Sequence, residues 1–278
     1  MSTRLHPTAI VHGKAELAEG VTVGPYSIIG EHVRIGRRTR IDAHVVVEGW
    51  TSIGEDCQIH SFVSLGAPPQ HLQYKGEKTL VRIGNHNILR EYVTVNRATT
   101  FGGGVTSLED HNVLMAYVHI AHDCHIGSHV VMANAATLAG RITIGDYAIV
   151  GGLSGIHQYV RLGAYSMVGG CSALGQDVPP FMRAAGGYRA RLFGVNTIGL
   201  KRHGFSDDRI RLLKRVYRAL FRSDLRFAEA VKQVRDEFAD SRDVRELLAF
   251  IDSTKRGVCK GMDEREDDWS PWRPRGTL

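Results

Sequence analysis

The stretch HIAHDCHIGSHVVMANAATLAGRITIGDYAIV, residues 119–150, carries an aliphatic side chain at every sixth position. An α-helix repeats its buried face every 3.6 residues and a strand every second residue, so neither element produces this period. Short strands joined by tight turns do produce it, and three such faces make one coil of a parallel β-helix. The aliphatic positions in this stretch are Ile120, Ile126, Met132, Leu138, Ile144 and Val150.

The same period extends along most of the chain. Val, Ile, Leu or Met occupies every sixth position through residues 11–65, 83–95 and 108–174. Two insertions separate these blocks, and they contain GAPPQHLQYKGEKTLV and ATTFGGGVT. We expect both to be extruded loops, which in solenoid proteins gather on the functional face.

The repeat ends after Val178, where two prolines follow that cannot donate ladder hydrogen bonds. Ser206 has the pattern of a helix N-cap, and apolar residues at helical spacing after it predict three amphipathic helices. We therefore predict a mainly β fold with a β-helix domain over residues 1–190. A small C-terminal α-helical domain over 191–257 and a flexible tail over 258–278 complete the prediction.

Composition and charge narrow the class of protein. The four cysteines are far apart and predict neither a disulfide framework nor a zinc knuckle. No apolar signal segment is present, and no stretch approaches the roughly 18 apolar residues of a membrane helix. We therefore expect a cytoplasmic protein that is not an integral membrane protein. The formal net charge of +6 is concentrated in residues 201–222, which favours one acidic partner.

The six-residue phase separates the three histidines of HIAHDCHIG, residues 119–127. His119 and His125 precede inward-facing residues and point outward from different faces of the prism. His122 and Asp123 fall on the turn between those faces. Because the histidines point in different directions, the phase argues against a mononuclear zinc site built from this stretch alone.

Stacking of the coils places further residues beside His122. Residues 18 apart lie above one another at about 4.8 Å per coil, so His122, Gly140 and Gln158 form one column. The absence of a side chain at Gly140 predicts a notch above His122 that substrate can enter, with the Gly140 N–H facing it. This arrangement favours a general base with an oxyanion site. The alternative is a solvated turn histidine without a catalytic role.

Several motifs in fixed order carry a family resemblance: HIAHDC, NAATLAG, GIHQY, MVGGCSALGQDVPP and FGVNTIGLKRHGFS. Together they resemble the UDP-N-acetylglucosamine O-acyltransferases that begin lipid A biosynthesis, over about residues 6–257. The resemblance implies a left-handed β-helix and a homotrimer with active sites between subunits. It also implies transfer of a 3-hydroxyacyl group from acyl carrier protein to the 3-position of UDP-N-acetylglucosamine, without a metal or other cofactor.

The resemblance also implies roles for individual residues. His122 would be the general base, Asp123 its orienting partner, and the Gly140 N–H the oxyanion donor. Glycine at position 170 resembles the family members that transfer long acyl chains. The residues implied to bind substrate are His71, Gln73, His119, Arg141, His157, Gln158, Asn196 and Arg202.

The chain departs from the family pattern at positions that touch the sugar or nucleotide. These residues are His71 for a usual aspartate, Gln73 for lysine, Arg141 for histidine, Ile198 for glutamate and His203 for arginine. The acceptor therefore stays open between UDP-N-acetylglucosamine and a modified UDP-sugar such as the 3-amino analogue. Arg141, stacked over Asp123, could also draw that carboxylate away from His122.

Two other classes of function share features of this sequence. A γ-class carbonic anhydrase shares the β-helix and binds zinc through histidines of adjacent subunits, which here would be drawn from His119, His122, His125 and His157. A nucleic-acid-binding scaffold would use the basic segment, but aromatic residues are not interleaved there as a stacking platform requires. We prefer docking of acidic acyl carrier protein at Arg215 and Arg218, with no nucleic acid as partner.

Overall fold

The structure is a computed structural model that describes residues 2–187 and 190–262. Within these ranges the chain forms a left-handed parallel β-helix followed by four α-helices, which confirms the predicted fold class. The strands, in chain order, are β1 (Arg4–Leu5), β2 (Ile10–Val11), β3 (Glu16–Leu17), β4 (Thr22–Val23), β5 (Ile28–Ile29), β6 (Arg34–Ile35), β7 (Arg40–Ile41), β8 (Val46–Val47), β9 (Trp50–Ile53), β10 (Gln58–Ile59), β11 (Ser64–Ala67), β12 (Leu80–Ile83), β13 (Ile88–Leu89), β14 (Thr94–Asn96), β15 (Val105–Leu108), β16 (Val113–Leu114), β17 (His119–Ile120), β18 (His125–Ile126), β19 (Val131–Met132), β20 (Thr137–Leu138), β21 (Thr143–Ile144), β22 (Ile149–Val150), β23 (Gly155–Ile156), β24 (Arg161–Leu162), β25 (Met167–Val168), β26 (Ala173–Leu174), β27 (Met182–Ala185) and β28 (Arg191–Val195).

Three sheets form the faces of the prism, and successive strands of the repeat pass from one sheet to the next. Away from the insertions, residues 18 apart pair in parallel, as His119 does with Thr137 and Thr137 with Gly155. The predicted stacking is therefore confirmed. Sheet A contains β1, β4, β7, β10, β13, β16, β19, β22, β25, β27 and β28; sheet B contains β2, β5, β8, β11, β14, β17, β20, β23 and β26; sheet C contains β3, β6, β9, β12, β15, β18, β21 and β24.

The residues at the six-residue period fill the interior of the prism. Ile120, Met132 and Leu138 are fully buried, and Ile126 is 1% exposed. Burial of a branched aliphatic side chain stabilises a fold by about 1.5–3 kcal/mol, and here it recurs on every face of every central coil. The repeated aliphatic residue is thus the main source of stability of the β-helix.

The corner between sheets B and C places the second residue of each turn in the left-handed backbone region. Asp123, Arg141 and Tyr159 have φ values of 61°, 62° and 65°. The Arg141 N–H donates to the carbonyl of His122 at 2.9 Å, and the Tyr159 N–H donates to the carbonyl of Gly140 at 3.3 Å. Consecutive coils are therefore held in register at the corner that carries the predicted base.

Both insertions are loops that lie over this corner. The first follows β11, and the second contains a 3₁₀ helix at Thr100–Gly102. The rings of His71 from the first loop and Phe101 from the second meet with centroids 4.9 Å apart. The loops therefore contact each other, as expected for insertions that gather on one face.

The C-terminal region begins with an antiparallel hairpin and continues as helices. Strands β27 and β28 extend sheet A to Val195, past the domain boundary predicted at residue 190. Ser206 is confirmed as a helix N-cap, since its hydroxyl accepts the Arg209 N–H at 3.3 Å. None of the described helices is long and apolar enough to cross a membrane. The helices are α1 (Thr197–Arg202), α2 (Asp207–Phe221), α3 (Phe227–Glu237) and α4 (Arg242–Asp252).

The segment predicted to be a flexible tail, 258–278, begins with residues that pack on the β-helix. Val258 pairs with Asp177 in a parallel bridge, and the Cys259 N–H donates to the Asp177 carbonyl at 2.9 Å. The prediction is therefore wrong for residues 258–262, because they cover the last coil. The remainder of the segment lies outside the described residues.

Candidate active site

His122 and Asp123 form a buried hydrogen-bonded pair at the corner between sheets B and C. Nδ1 of His122 lies 2.8 Å from Oδ2 of Asp123, and the two residues are 6% and 2% exposed. An ionised carboxylate only accepts hydrogen bonds, so the neutral imidazole carries its proton on Nδ1 and leaves Nε2 as a base. The predicted pairing is present, and a solvated turn histidine is excluded by the burial.

Two threonines, one in the second insertion and one in β15, hold Asp123 in place. The Thr99 N–H donates to Oδ1 of Asp123 at 2.9 Å, and the Thr99 hydroxyl donates to Oδ2 at 2.6 Å. The Asp123 N–H in turn donates to the Thr106 hydroxyl at 2.8 Å. Neither threonine was predicted, because the six-residue period does not relate an insertion to the coil below it.

Arg141 lies one coil above Asp123, and the Asp123 carboxylate keeps its hydrogen bond to His122. Its Nε is 3.9 Å from Oδ2 of Asp123, too far for a hydrogen bond, whereas the His122 contact is 2.8 Å. The guanidinium instead donates to the Phe101 carbonyl at 3.2 Å and to the Tyr159 hydroxyl. The hypothesis that Arg141 draws the carboxylate away from His122 is therefore wrong, because these partners hold the guanidinium elsewhere.

Gly140 makes room for the imidazole and not for substrate. A Cβ atom at this position would lie 2.4 Å from Cε1 of His122, inside any real contact distance. The predicted notch above His122 is therefore filled by the His122 ring, because the turn carries that side chain upward toward the next coil. Among the residues that the structure describes, none accepts a hydrogen bond from the Gly140 N–H, so that donor stays available.

A groove of about 830 Å³ runs from His122 along the outer face of sheet B. His119, Thr137, Gly155 and Ala173 follow one another along its floor, one coil apart. The last three are small, which lets an extended chain lie against the sheet. His157 and Gln158 also line the groove, as predicted.

His119 is anchored in the groove floor by Thr94, whose hydroxyl lies 2.7 Å from Nδ1. Burial lowers the pKa of His119 below its ordinary value, because desolvation disfavours the charged imidazolium. The side chain therefore enters the site as a neutral, polar group. In β17, just before the turn that carries His122, His119 offers a fixed hydrogen-bonding group to substrate.

The far end of the groove is built by parts of the chain that the repeat does not predict. Arg191 of β28 and Lys260 of the C-terminal segment line it, together with the buried Cys259. The two cations were missed, because their approach depends on how the hairpin and the segment after α4 fold back. Gly170 lies on the corner that precedes Ala173, outside the residues lining this groove.

Of the two residues predicted in the first loop, His71 contacts the base and Gln73 does not line the groove. The His71 ring meets the His122 ring edge to face, with centroids 5.2 Å apart. Gln73 is exposed and does not line the groove, whereas its neighbour Gln70 does. Gln70 was not predicted, and its place among the polar residues of the insertion was the only available signal.

Asn196 has a structural role in this chain. Its side chain accepts the Gly199 N–H at 3.2 Å and donates to the Tyr165 carbonyl at 2.9 Å, which caps α1. The residue is 5% exposed, and its predicted role in binding substrate stays a prediction. Arg202 ends α1 as an exposed side chain away from the groove, and its binding role stays a prediction.

The histidines of HIAHDCHIG diverge as the phase predicted. His125 belongs to sheet C, where its Nδ1 lies 3.0 Å from the Ser107 hydroxyl, and Cys124 is fully buried. Burial raises the pKa of the Cys124 thiol to about 12, so it stays protonated. Within the described part of one chain, no three His, Cys, Asp or Glu side chains are grouped as a metal site requires.

Most of the basic segment, residues 201–222, lies in α2, where its Lys and Arg side chains are exposed. Arg215 lies 3.1 Å from Glu237 of α3, and its guanidinium stacks 5.1 Å from the Phe238 ring. Arg218, one turn later, is exposed and has no ion-pair partner among the described residues. Of the two predicted docking residues, Arg218 therefore offers the uncompensated charge.

Comparison with known proteins identifies the family of this chain. Residues 177–259 match the family model described as "Udp N-acetylglucosamine O-acyltransferase; Domain 2", and residues 32–67 match "Bacterial transferase hexapeptide (six repeats)". The acyl-[acyl-carrier-protein]–UDP-N-acetylglucosamine O-acyltransferase of Thermodesulfovibrio yellowstonii is 55% identical over 92% of this chain and 99% of its own length. The enzyme of the same name from Syntrophobacter fumaroxidans is 50% identical over 92% of this chain and 100% of its own length.

Solved structures lead to the same family. The UDP-N-acetylglucosamine acyltransferase of Francisella novicida superposes with a TM-score of 0.90 at 34% identity, covering 93% of this chain and 95% of its own. LpxA from Acinetobacter baumannii superposes with a TM-score of 0.89 at 40% identity, covering 92% and 99%. From its coils, its His122–Asp123 pair and these relatives, the chain belongs to the acyl-[acyl-carrier-protein]–UDP-N-acetylglucosamine O-acyltransferase family.

Proposed function

We propose that this chain transfers a 3-hydroxyacyl group from acyl carrier protein to the 3-hydroxyl of UDP-N-acetylglucosamine, the reaction that begins lipid A biosynthesis. The observation that carries the proposal is the buried His122–Asp123 pair, 2.8 Å apart, at one end of a groove floored by small residues. The substrates are supported by the names of relatives that share about half of its residues over nearly their full length.

His122 acts as the general base in this proposal. The sugar hydroxyl is a weak acid and needs its proton removed as the oxygen attacks the thioester carbon. Nε2 of His122 takes that proton, and Asp123 stabilises the imidazolium that results. Histidine is the side chain that most often transfers a proton in such a step.

The Gly140 N–H receives the charge that develops on the carbonyl oxygen. As the sugar oxygen bonds to the thioester carbon, the carbonyl π electrons move onto oxygen and form a tetrahedral oxyanion. Re-formation of the C=O bond expels the thiolate, which takes the proton from Nε2 of His122. One such donor typically lowers the barrier by about 3 kcal/mol, and the Gly140 N–H is supported in this role because it lacks an acceptor among the described residues.

The acyl donor occupies the groove over sheet B. Thr137, Gly155 and Ala173 leave the sheet surface low enough for an extended chain, and the cations Arg191 and Lys260 at the far end suit the acidic donor protein or its phosphate. Gly170 at the neighbouring corner sets the acyl length, and glycine there corresponds to a long chain. The thioester then lies at the His122 end.

UDP-N-acetylglucosamine is the proposed acceptor despite the departures around the site. Two of the departing side chains are committed within the chain: His71 packs on the His122 ring, and Arg141 binds Phe101 and Tyr159. They therefore act on the walls of the site and leave the base and the Gly140 donor intact. The 3-amino sugar is the competing acceptor, and it is tested in the same assay.

Two partner assignments accompany the reaction. Acyl carrier protein docks on α2, where Arg218 is exposed and Arg215 is paired with Glu237.

The chain works as a homotrimer with sites between subunits, so that residues remote from the groove in one chain, such as Arg202, serve a neighbour's site. Light scattering on the purified protein tests the trimer, and a monomeric mass would contradict it.

The assay of the proposal uses purified protein with a 3-hydroxyacyl acyl carrier protein and either UDP-N-acetylglucosamine or its 3-amino analogue. We expect turnover with the first acceptor and a loss of at least a hundredfold in kcat for His122→Ala. His125→Ala is the matched control, because that histidine faces sheet C and should leave kcat unchanged. Absence of turnover with both acceptors would refute the assignment, and turnover with the amino sugar alone would replace the acceptor.

A further inference from the structure

Thr99 binds the Asp123 carboxylate through two donors at once. Its N–H meets Oδ1 at 2.9 Å and its hydroxyl meets Oδ2 at 2.6 Å, while Nδ1 of His122 meets the same Oδ2 at 2.8 Å. Thr99 precedes the 3₁₀ helix of the second loop as its N-cap, yet its hydroxyl makes no capping hydrogen bond there. The side chain is thus committed to the carboxylate below it.

The surrounding loop is shaped around this contact. A Cβ atom at Gly102 would lie 2.1 Å from Cγ of Asp123, so only glycine lets the loop close over the carboxylate. From the other side, the Thr106 hydroxyl accepts the Asp123 N–H at 2.8 Å. The Asp123 side chain is therefore held by Thr99 of the second loop, and its backbone N–H by Thr106 of β15.

Donors and acceptors in this contact can be assigned residue by residue. Both donors on Thr99 point at oxygen atoms of Asp123, and an ionised carboxylate offers only acceptors to them. An ionised Asp123 must receive its third hydrogen bond from a protonated Nδ1 of His122. The tautomer with a free Nε2 is then selected through a chain that runs from Thr99 to Asp123 to His122.

We propose that Thr99 is a positioning residue for the acyl-transfer base, acting through Asp123 on the tautomer and orientation of His122. This inference rests on the proposed function, in which Nε2 of His122 takes the proton. Thr99 would join His122 and Asp123 as a third residue of the catalytic site, and it comes from an insertion and not from the β-helix repeat. The hydroxyl contributes orientation, since the N–H of residue 99 remains in any variant.

The test compares Thr99→Val, which keeps the shape and the N–H but lacks the hydroxyl, with Thr99→Ser, which restores the donor. Loss of a hydrogen bond to a charged group predicts a fall in kcat of about ten- to a hundredfold for Thr99→Val. The KM values for both substrates should stay within about twofold. Thr99→Ser should recover most of kcat, and Thr100→Val, an exposed neighbour in the same turn, should match the unaltered enzyme.

Each outcome decides one question. A kcat for Thr99→Val equal to that of the unaltered enzyme, or a Thr99→Ser as impaired as Thr99→Val, would overturn the positioning role. Retained activity in His122→Ala would overturn the proposed function instead, so the two failures are distinguishable. If Thr99→Val does not fold, Thr99→Cys replaces it, since a thiol donates only weakly and predicts the same fall in kcat.

Discussion

Nε of Arg141 lies 3.9 Å from Oδ2 of Asp123, so a partly exposed cation faces a fully buried carboxylate one coil below. Replacing Arg141 by Met keeps the stem but leaves that carboxylate without a cation beside it. We expect the free energy of unfolding to fall by about 1–3 kcal/mol, because a buried charge that loses its counter-charge is costly. Urea unfolding measures the difference.

The matched control for this variant is Arg82→Met, an exposed arginine on sheet C. Its loss should change the free energy of unfolding by less than about 0.5 kcal/mol. Equal losses for the two variants would show that the Arg141–Asp123 contact contributes nothing specific.

Gly140→Ala tests whether the imidazole needs the space above it. The added Cβ would lie 2.4 Å from Cε1 of His122, so the ring must move away from its position. A displacement of about 1 Å at a catalytic group costs roughly a hundredfold in rate, and we expect kcat to fall by that factor. Steady-state kinetics at saturating substrate measures it.

Gly13→Ala is the corresponding control, since a Cβ there meets nothing within 4 Å. It should leave kcat unchanged while adding the same methyl group to the chain. A Gly140→Ala enzyme with the kcat of this control would mean that the ring position is not critical.

His119 predicts a pH dependence of stability. Burial lowers its pKa in the folded protein, whereas the unfolded chain titrates at about 6.5. The unfolded state therefore binds the proton more readily, so this residue lowers the free energy of unfolding as the pH falls below about 6.5. His119→Gln, which can still bond Thr94, should show a shallower decline between pH 7 and pH 5 in urea unfolding. Parallel curves for the two proteins would contradict the prediction.

The four cysteines should differ sharply in reactivity. Cys57, Cys124 and Cys259 are buried, and burial raises the pKa of Cys124 and of Cys259 to about 12, whereas Cys171 is exposed. We expect a thiol reagent at pH 8 to modify one group quickly in the native protein and four in denaturant. Cys171→Ser should abolish the fast reaction, and Cys259→Ser should retain it. Fast labelling that survives in Cys171→Ser would place the reactive thiol elsewhere.

Charge reversal on α2 should weaken binding of acyl carrier protein most at Arg218. Arg215 is already paired with Glu237 at 3.1 Å, whereas Arg218 has no ion-pair partner among the described residues. Arg218→Glu should raise the KM for the acyl donor several-fold at low salt, with a smaller rise near 0.5 M salt, where surface charges are screened. Arg34→Glu, on an N-terminal coil, is the control. An unchanged KM for Arg218→Glu would exclude this docking face.

Much of the fold follows from a single sequence signal. The aliphatic residue at every sixth position is local, so it predicts strands, corners and the stacking of residues 18 apart without any tertiary information. The same phase separates His119 from His125 and puts His122 on a turn. The pairing of His122 with Asp123 was implied by the family resemblance, and the structure shows the hydrogen bond between them.

The errors concern side-chain directions and the parts of the chain outside the repeat. Residues 258–262 were expected to be loose, yet they cover the last coil. The cap that Asn196 forms on α1 was not predicted either. The space above His122 was expected to be open to substrate, yet the His122 ring occupies it. Stacking predicts Cα positions but not the direction of a side chain. A period describes where backbones stack, and it carries no information about contacts between distant segments.

The sequence by itself determined the β-helix, the corner that carries His122 and Asp123, and the polar column above them. Only the tertiary structure decided that Thr99 and Thr106 hold the carboxylate, that Arg141 is held by Phe101 and Tyr159, and that Arg191 and Lys260 close the groove. The physical reason is the range of each interaction. Hydrophobic periodicity is a local pattern that can be read from neighbouring residues. Hydrogen bonds from insertions and terminal segments depend on how distant parts of the chain pack against the β-helix.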